Sequence, residues 1–537
     1  MIKKIKFDIL ALSIISIIYF ISLFKYGEYF TNIIIDTGRE LYYPELMLKG
    51  KLLYKDLFNL FGPLGYQINC LWYRLFGIKI SSLLFAGEVC SLCIIYVIYF
   101  ISRYFLNIKL SFAFILFIMS TCVFALNVFN FLLPYSFSLL YAYLFFLFSV
   151  LSFLYAFKSK NNDIFLILSF LFMGFSITSK YEYTPFIFVL LFYTLFVFKK
   201  GIKSIFINLV ALCIVPVISY GALFVEGVTI ADLLKNQALV YAHIKSESLH
   251  YFYTNYTGTF FSFDLLNHLF SAGINYKILF LFFPYIIYGI FLYDLLNKII
   301  HKNFNLKSDV FFVFIIISII SMLKTAFIMK IDLYGSYTIS LPLITFLAFV
   351  VNKVKDKDKK DSLNKIFAVL LIFISFLSVL NLRNYVYLVT PLKTEKGVIY
   401  SQKYFVKQTE ILLEYLKKNV SKEKTLLVMP EGVMFNYITG YDMKLYNYYS
   451  LLPTFIDTFG IDNILKDIEN AKIDYIILVN NRDLSEYGGT SLNCNYIAFL
   501  NMTEEERKIC SYIVYKYEKQ DVAFNHNFSG YSLYKRR

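Results

Sequence analysis

Charge is what this sequence has least of: Asp, Glu, Lys and Arg supply 17% of its 537 residues, against 58% hydrophobic and 20% aromatic. Soluble domains carry roughly a quarter of their residues as charge, so a water-soluble globule is excluded. Three short motifs are missing as well. There is no phosphate-binding loop, no dinucleotide fingerprint and no nucleophile elbow, which argues against an ATP-driven pump. No long-period repeat is present, and no paired halves with broken spans of the kind many transporters show. No dense Asp/His cluster marks a metal site. His243, His250 and His268 are too widely spaced for a ligand set and read as surface residues.

Cysteine is scarce and odd in number, with seven in the chain. Cys70, Cys90, Cys93, Cys122 and Cys213 fall in or near apolar runs, where packing is the ordinary role, and the redox-like spacing of Cys90 and Cys93 is inert inside a lipid-embedded helix. Cys494 and Cys510 lie in the polar C-terminal part. They can be joined if that part is outside the cytosol, although sequence does not set their separation.

What the sequence has in abundance is apolar length. Crossing a bilayer takes about 20 apolar residues, and about eleven segments meet that measure. They run near residues 8–24, 79–101, 110–127, 133–157, 163–179, 183–198, 203–224, 275–297, 309–328, 336–352 and 365–382. The first follows Lys3-Lys4-Ile5-Lys6 and has no small-residue cleavage site, so it reads as a retained span rather than a signal peptide. The net charge of +15 is distributed as topology requires. With the N-terminus inside, the inner loops hold Arg103 and Lys109, Lys158 and Lys160, Lys199, Lys200 and Lys203, Lys298, Lys302 and Lys307, and the run Lys353 to Lys365. The basic excess is therefore read as orientation plus attraction to anionic membrane lipids, with no nucleic-acid partner.

An odd number of spans puts the two long outer loops, 25–78 and 225–274, on the same face as everything after about residue 383. The expected division is a membrane domain over 1–382 and an extracytoplasmic α/β domain over 383–537. Glu40 to Gly50 and Ile230 to His243 suit helices lying in the membrane interface. A further helix is expected through Phe76, with Pro63 near its first turn. In the C-terminal part, Lys393 to Lys417 reads as a helix, Lys424 to Met429 as a strand, Glu431 to Ile438 as a short helix, Ile461 to Asn470 as an amphipathic helix, and Ile473 to Asn480 as a second strand. Alternating elements predict a largely parallel sheet.

The chemistry-bearing stretch is Asp36-Thr37-Gly38-Arg39-Glu40, in the polar segment after the first span. A lone carboxylate beside a guanidinium can take a proton from a hydroxyl while a phosphate is steadied; the plainer reading is a solvated turn. Asp36 fits the base, and Arg39 stands three residues on, able to orient it or to hold phosphate. Glu40 and Asp56 are second carboxylates that bind metal with Asp36 or simply pair with Arg39 and Lys55, which leaves a divalent metal open. Lys324 is the most informative charge in the membrane part, because a lysine there costs about 2.5–3.5 kcal/mol unless it faces a cavity or a partner. Glu88 is one such partner and a lipid phosphate is another. Lys180 either snorkels to headgroups or contacts phosphate. Tyr42, Tyr43, Tyr54 and Tyr66 fit an interfacial aromatic belt better than a sugar platform.

These motifs together resemble the GT-C glycosyltransferases, the multi-spanning group that includes the dolichyl-phosphate-mannose protein mannosyltransferases and bacterial relatives (glycosyltransferase family 39-like). The likeness is carried by Asp36 to Glu40, Gly50 to Asp56 with Gly62-Pro63 and Tyr66, Lys180-Tyr181-Glu182, Pro430-Glu431-Gly432, Asn436 to Gly440, and Glu486-Tyr487-Gly488. The resemblance implies a sugar donor carried by a polyprenyl phosphate, inversion at the anomeric centre and Asp36 as base. Together with the charge reading above, the expected substrate contacts are Arg39, Glu40, Asp56, Lys180, Glu182, Lys324 and Asp332. Relatives often have a basic residue, an Asp and a His where this chain has Lys330, Asp332 and Gly335, so the His is missing here. The implied activity is hexosyl or pentosyl transfer to a cell-envelope acceptor (glycan such as lipopolysaccharide, lipid or protein) on the outer face of the inner or plasma membrane. A flippase for lipid-linked sugars is the alternative.

Overall fold

The computed structural model describes residues 2–31, 37–159, 162–256, 283–301, 309–326, 331–479, 494, 504–522 and 530–537. Asp36, His268, Lys330 and the Glu486-Tyr487-Gly488 motif lie outside the described residues, as does the side chain of Asp332.

Among the described residues, seven helices are long and apolar enough to cross a bilayer: Lys6–Phe30, Ile80–Phe105, Phe137–Lys158, Asn162–Ser179, Ile202–Glu226, Phe283–Ile300 and Lys357–Leu388. Four shorter apolar helices accompany them: Ile108–Val123, Tyr181–Val197, Val310–Ser321 and Ser340–Lys353. Each falls on one of the eleven segments expected from the sequence. Helices are the available solution because a backbone in lipid must satisfy its own polar groups. Helix Ile202–Glu226 shows the sidedness that results. Phe206, Val217, Ile218 and Val225 are exposed, while Asn208, Leu212, Val215, Ser219 and Leu223 are buried at three- and four-residue steps. Its buried face meets Gly174 of helix Asn162–Ser179 so closely that an added Cβ would stand 2.4 Å from the Leu212 carbonyl oxygen. A small residue lets two backbones approach, which drives helix association in lipid where hydrophobicity cannot.

The two loops expected on the outer face are helical where predicted, but the first of these helices is buried inside the protein. Helix Thr37–Leu48 forms over the predicted stretch, yet Thr37 through Leu46 are all buried. It is packed between helix Leu64–Phe76 and the C-terminal helix Met434–Thr439. The four tyrosines expected in a belt are buried too: Tyr42 and Tyr43 lie against the C-terminal part, while Tyr54 stacks on Tyr220 and Tyr66 packs on Tyr43. Tyr43 donates its hydroxyl to the Tyr446 carbonyl at 3.0 Å, and Tyr66 donates to Glu40 at 2.8 Å.

Helix Ile230–Ile244 begins with a capping box between Thr229 and Asp232. It ties the two outer loops together, since Asn236 donates to the Asn59 carbonyl at 2.8 Å and accepts the Asn59 N–H at 3.1 Å. His243 is a correction to the surface reading. It is buried against Phe455, 3.0 Å from the Thr458 hydroxyl, and burial pushes its imidazole down to about 4. His250 is exposed.

The C-terminal part departs from expectation at its start and in its sheet. Residues 389–402 form a hairpin, β1 (Val389–Thr394) and β2 (Gly397–Gln402), and the helix begins only at Lys403. Gly397, at φ +132°, makes the reversal possible. The hairpin is bolted to the membrane part, with the Lys396 ammonium 3.1 Å from Glu45 and the Lys396 carbonyl accepting from Ile80 N–H at 3.0 Å. The second sheet has order β3 (Leu426–Met429), β4 (Tyr475–Val479), β6 (Tyr531–Arg536), β5 (Tyr517–Lys519). Only β3 and β4 are parallel, so the sheet is mixed, because β6 enters antiparallel between β4 and β5. Cys494 and Cys510 form a disulfide.

Candidate functional site

Two cation centres sit beside one another under the C-terminal part. The first is built on helix Thr37–Leu48. Arg39 and Glu40 are consecutive, and both are nearly inaccessible, at 5% and 0% exposure. Arg39 directs Nε and Nη2 to Glu40 Oε1 at 3.3 and 3.1 Å. Glu40 Oε1 also accepts from Tyr66, and its Oε2 accepts the Phe137 N–H at 2.8 Å, at the first residue of helix Phe137–Lys158. A carboxylate there meets the positive end of the helix dipole. Those four bonds engage both of its oxygens, so Glu40 serves as an anchor.

Arg39 has contacts beyond its pair. Nη1 donates to the Tyr449 hydroxyl at 3.0 Å and Nη2 to the Tyr135 carbonyl at 3.4 Å. The guanidinium lies 4.8 Å from the Tyr449 ring centroid and 5.7 Å from that of Phe61. Tyr449 comes from the C-terminal part, about four hundred residues away in sequence, and nothing in its local sequence marks it.

The second centre uses Lys180, Glu182 and Lys324. Helix Asn162–Ser179 stops at Ser179, Lys180 is extended, and a short 3-10 turn carries Glu182. Gly62 explains how the outer loop reaches this point: an added Cβ would stand 1.9 Å from the Thr178 carbonyl oxygen. Without a side chain at 62, the loop lies flat on the end of that helix and places the Phe61 ring 4.4 Å from the Lys180 ammonium. Lys180 is 5% exposed, which corrects the snorkelling alternative. It donates to the Tyr135 hydroxyl at 2.6 Å, and Tyr135 in turn is 2.5 Å from the Tyr334 hydroxyl. Burial drives its amine down to about 8; Glu182 opposes the shift while Lys324 and Arg39 reinforce it.

Lys324 stands on the 3-10 turn Leu323–Ala326, just past helix Val310–Ser321. Its protein partner is Glu182, at 3.6 Å, which corrects the alternative of a pair with Glu88. Glu88 instead lies on helix Ile80–Phe105 near Gly27, at the far end of the first span. Glu182 Oε1 is also 3.1 Å from Lys180. Glu182 Oε1 therefore lies between two ammonium groups. The Lys324 side chain is 25% exposed, the most open of the three cations. It also sits 5.0 Å from the Tyr334 ring. Arg39 is paired with Glu40, and Lys180 and Lys324 both face Glu182.

The other expected site residues fall elsewhere. Asp56 closes a local turn, accepting the Leu52 N–H at 2.8 Å. Asn436 donates to the Leu426 and Tyr441 carbonyls, so the Asn436 to Gly440 motif holds the edge of the sheet. Among the described residues, no group of three or more His, Cys, Asp or Glu side chains converges as metal ligands would.

Neither a protein-family profile nor a curated protein matches the sequence. Solved structures do. The chain is similar to the archaeal oligosaccharyltransferase AglB from Archaeoglobus fulgidus, in complex with an inhibitory peptide and a dolichol-phosphate, with TM-score 0.53 and 11% identity over 95% of this chain and 72% of that one. It is similar to ArnT from Cupriavidus metallidurans, bound to undecaprenyl phosphate, with TM-score 0.51 and 11% identity over 98% of this chain and 97% of that one. At that identity the likeness establishes architecture: the chain has the GT-C fold, a polytopic helical membrane part followed by a C-terminal α/β part.

Proposed function

We propose that this chain is an integral membrane glycosyltransferase that moves a sugar from a polyprenyl-phosphate donor to a hydroxyl of a cell-envelope acceptor on the extracytoplasmic face. The observation that carries the reading is the buried Lys180–Glu182–Lys324 cluster, which is walled by aromatic rings and opens at Lys324. Both solved structures of this fold described above were obtained with a polyprenyl phosphate bound, and a lipid phosphate is the anion that such a cluster suits.

The chemistry needs little else. The acceptor oxygen attacks the anomeric carbon as the bond to the phosphate oxygen breaks, its proton goes to the base, and the electron pair leaves with the phosphate. A phosphate departs without being protonated, so one carboxylate suffices where a glycosidase needs two. Asp36, immediately before the Arg39 helix in sequence, is assigned as that base. Lys324 and Lys180 offset charge gathering on the departing phosphate, in a site from which water is largely excluded. Attack opposite the leaving group inverts the anomeric centre. Arg39, fixed by Glu40, orients the base or the phosphate.

The test is Asp36→Asn at matched expression, with purified protein given radiolabelled polyprenyl-phosphate sugars and envelope acceptors. Loss of transfer with donor binding retained is the expected result. Unchanged transfer removes Asp36 from the role, and absence of transfer by the unaltered protein with every donor rejects the enzyme reading.

A further inference from the structure

We infer that Tyr449 is a positioning residue for the donor-phosphate site, through which the C-terminal part sets the direction of the Arg39 guanidinium; the inference rests on the reading above. A buried guanidinium has five N–H donors in a rigid plane, so its orientation is decided by where its acceptors stand. For Arg39, Glu40 fixes the Nε edge and Tyr135 lies beyond Nη2. The Nη1 end is met by the Tyr449 hydroxyl at 3.0 Å, and the Tyr449 ring covers the guanidinium at 4.8 Å. One side chain therefore constrains both the in-plane rotation and the face of the group.

Tyr449 is itself held from both sides of the junction. Its ring meets Tyr43 of the outer helix edge-on at 5.7 Å and Phe455 of helix Pro453–Phe459 at 5.0 Å. Arg39 and Lys180 share the Phe61 ring and the two polar ends of Tyr135, its carbonyl and its hydroxyl. A rotation of Arg39 thus disturbs the groups that seat Lys180. The C-terminal part is not only a cover: it supplies one wall of the arginine's cage.

The experiment uses the full-length protein in detergent with undecaprenyl monophosphate as probe and undecaprenol as the tail-only control. Affinity and thermal unfolding are measured for the unaltered protein, Tyr449→Phe, Arg39→Lys and the double variant. Tyr449→Phe keeps the ring and loses the hydroxyl; it should weaken undecaprenyl phosphate about five- to tenfold while leaving undecaprenol binding nearly unchanged, with only a modest fall in unfolding temperature from the stranded Arg39 donor. If Tyr449 acts through Arg39, the double variant binds no more weakly than Arg39→Lys alone. Phosphate affinity of Tyr449→Phe equal to that of the unaltered protein, or losses that multiply in the double variant, overturns the inference. Failure of the unaltered protein to prefer undecaprenyl phosphate over undecaprenol rejects the donor reading itself, and this inference with it.

Discussion

The two cation centres use the same materials and differ in what they leave open. Arg39 and Glu40 are sealed, with side chains 6% and 0% exposed, and the carboxylate is engaged from three directions by a guanidinium, a phenol and a helix N-terminus. Lys324 and Glu182 are 25% and 18% exposed, and their contact is longer. A fully bonded ion pair resists rearrangement and serves as an anchor. A loosely bonded one has capacity for a further anion. Under the function proposed above, the first centre anchors and orients, and the second receives the phosphate.

Truncating each centre should break that symmetry most visibly. Arg39→Ala strands Glu40 in a dry site, and losing one partner of a buried pair costs about 3–5 kcal/mol. The expected outcome is a large fall in unfolding temperature in detergent, with loss of function as a consequence. Lys324→Ala leaves Glu182 still paired with Lys180, so its stability cost should be smaller than that of Arg39→Ala. It should nonetheless weaken undecaprenyl phosphate tenfold or more, since a charged hydrogen bond is worth about 1.5–3 kcal/mol. Equal stability losses for the two variants would erase the distinction.

Acidity sharpens the contrast next. The Lys180 amine sits near 8 rather than the usual 10.5, so its charge is lost as pH rises through about 8. Binding titrations of undecaprenyl phosphate should show affinity falling between about pH 7 and 9, and Lys180→Arg should flatten the profile because a guanidinium stays protonated. The smallest effect is expected at Glu182. Its conversion to Gln removes the anion held between two lysines, so phosphate affinity should rise a few-fold while stability declines; a drop in affinity would make Glu182 a ligand-orienting group instead.

The membrane part was legible because lipid leaves the backbone few choices: among the described residues each predicted apolar segment contains a helix, including Ile108–Val123 and Ser340–Lys353, which are short. Helix Thr37–Leu48 was legible as a helix and illegible as to burial. Its alternation of tyrosine with Glu40 and Glu45 looks interfacial until helix Met434–Thr439 and Tyr449 are laid against it from about four hundred residues on. The hairpin at 389–402 was missed because Lys, Glu and Gln mask an extended pattern that only Gly397 and the dock against Ile80 reveal. Lys324 was recognised from its unfavourable place in an apolar run. Its partner was not, because charge alone cannot choose between Glu88 and Glu182 when both lie on other helices.

The central claim is that the open lysine centre is the seat of a lipid phosphate. A density map of the protein with undecaprenyl phosphate bound tests it directly. The expected result is a phosphate within about 4 Å of the Lys324 ammonium, the reach of an ion pair, with Arg39 still locked to Glu40. A headgroup seated elsewhere, with Lys180 and Lys324 both still closed on Glu182, would contradict it.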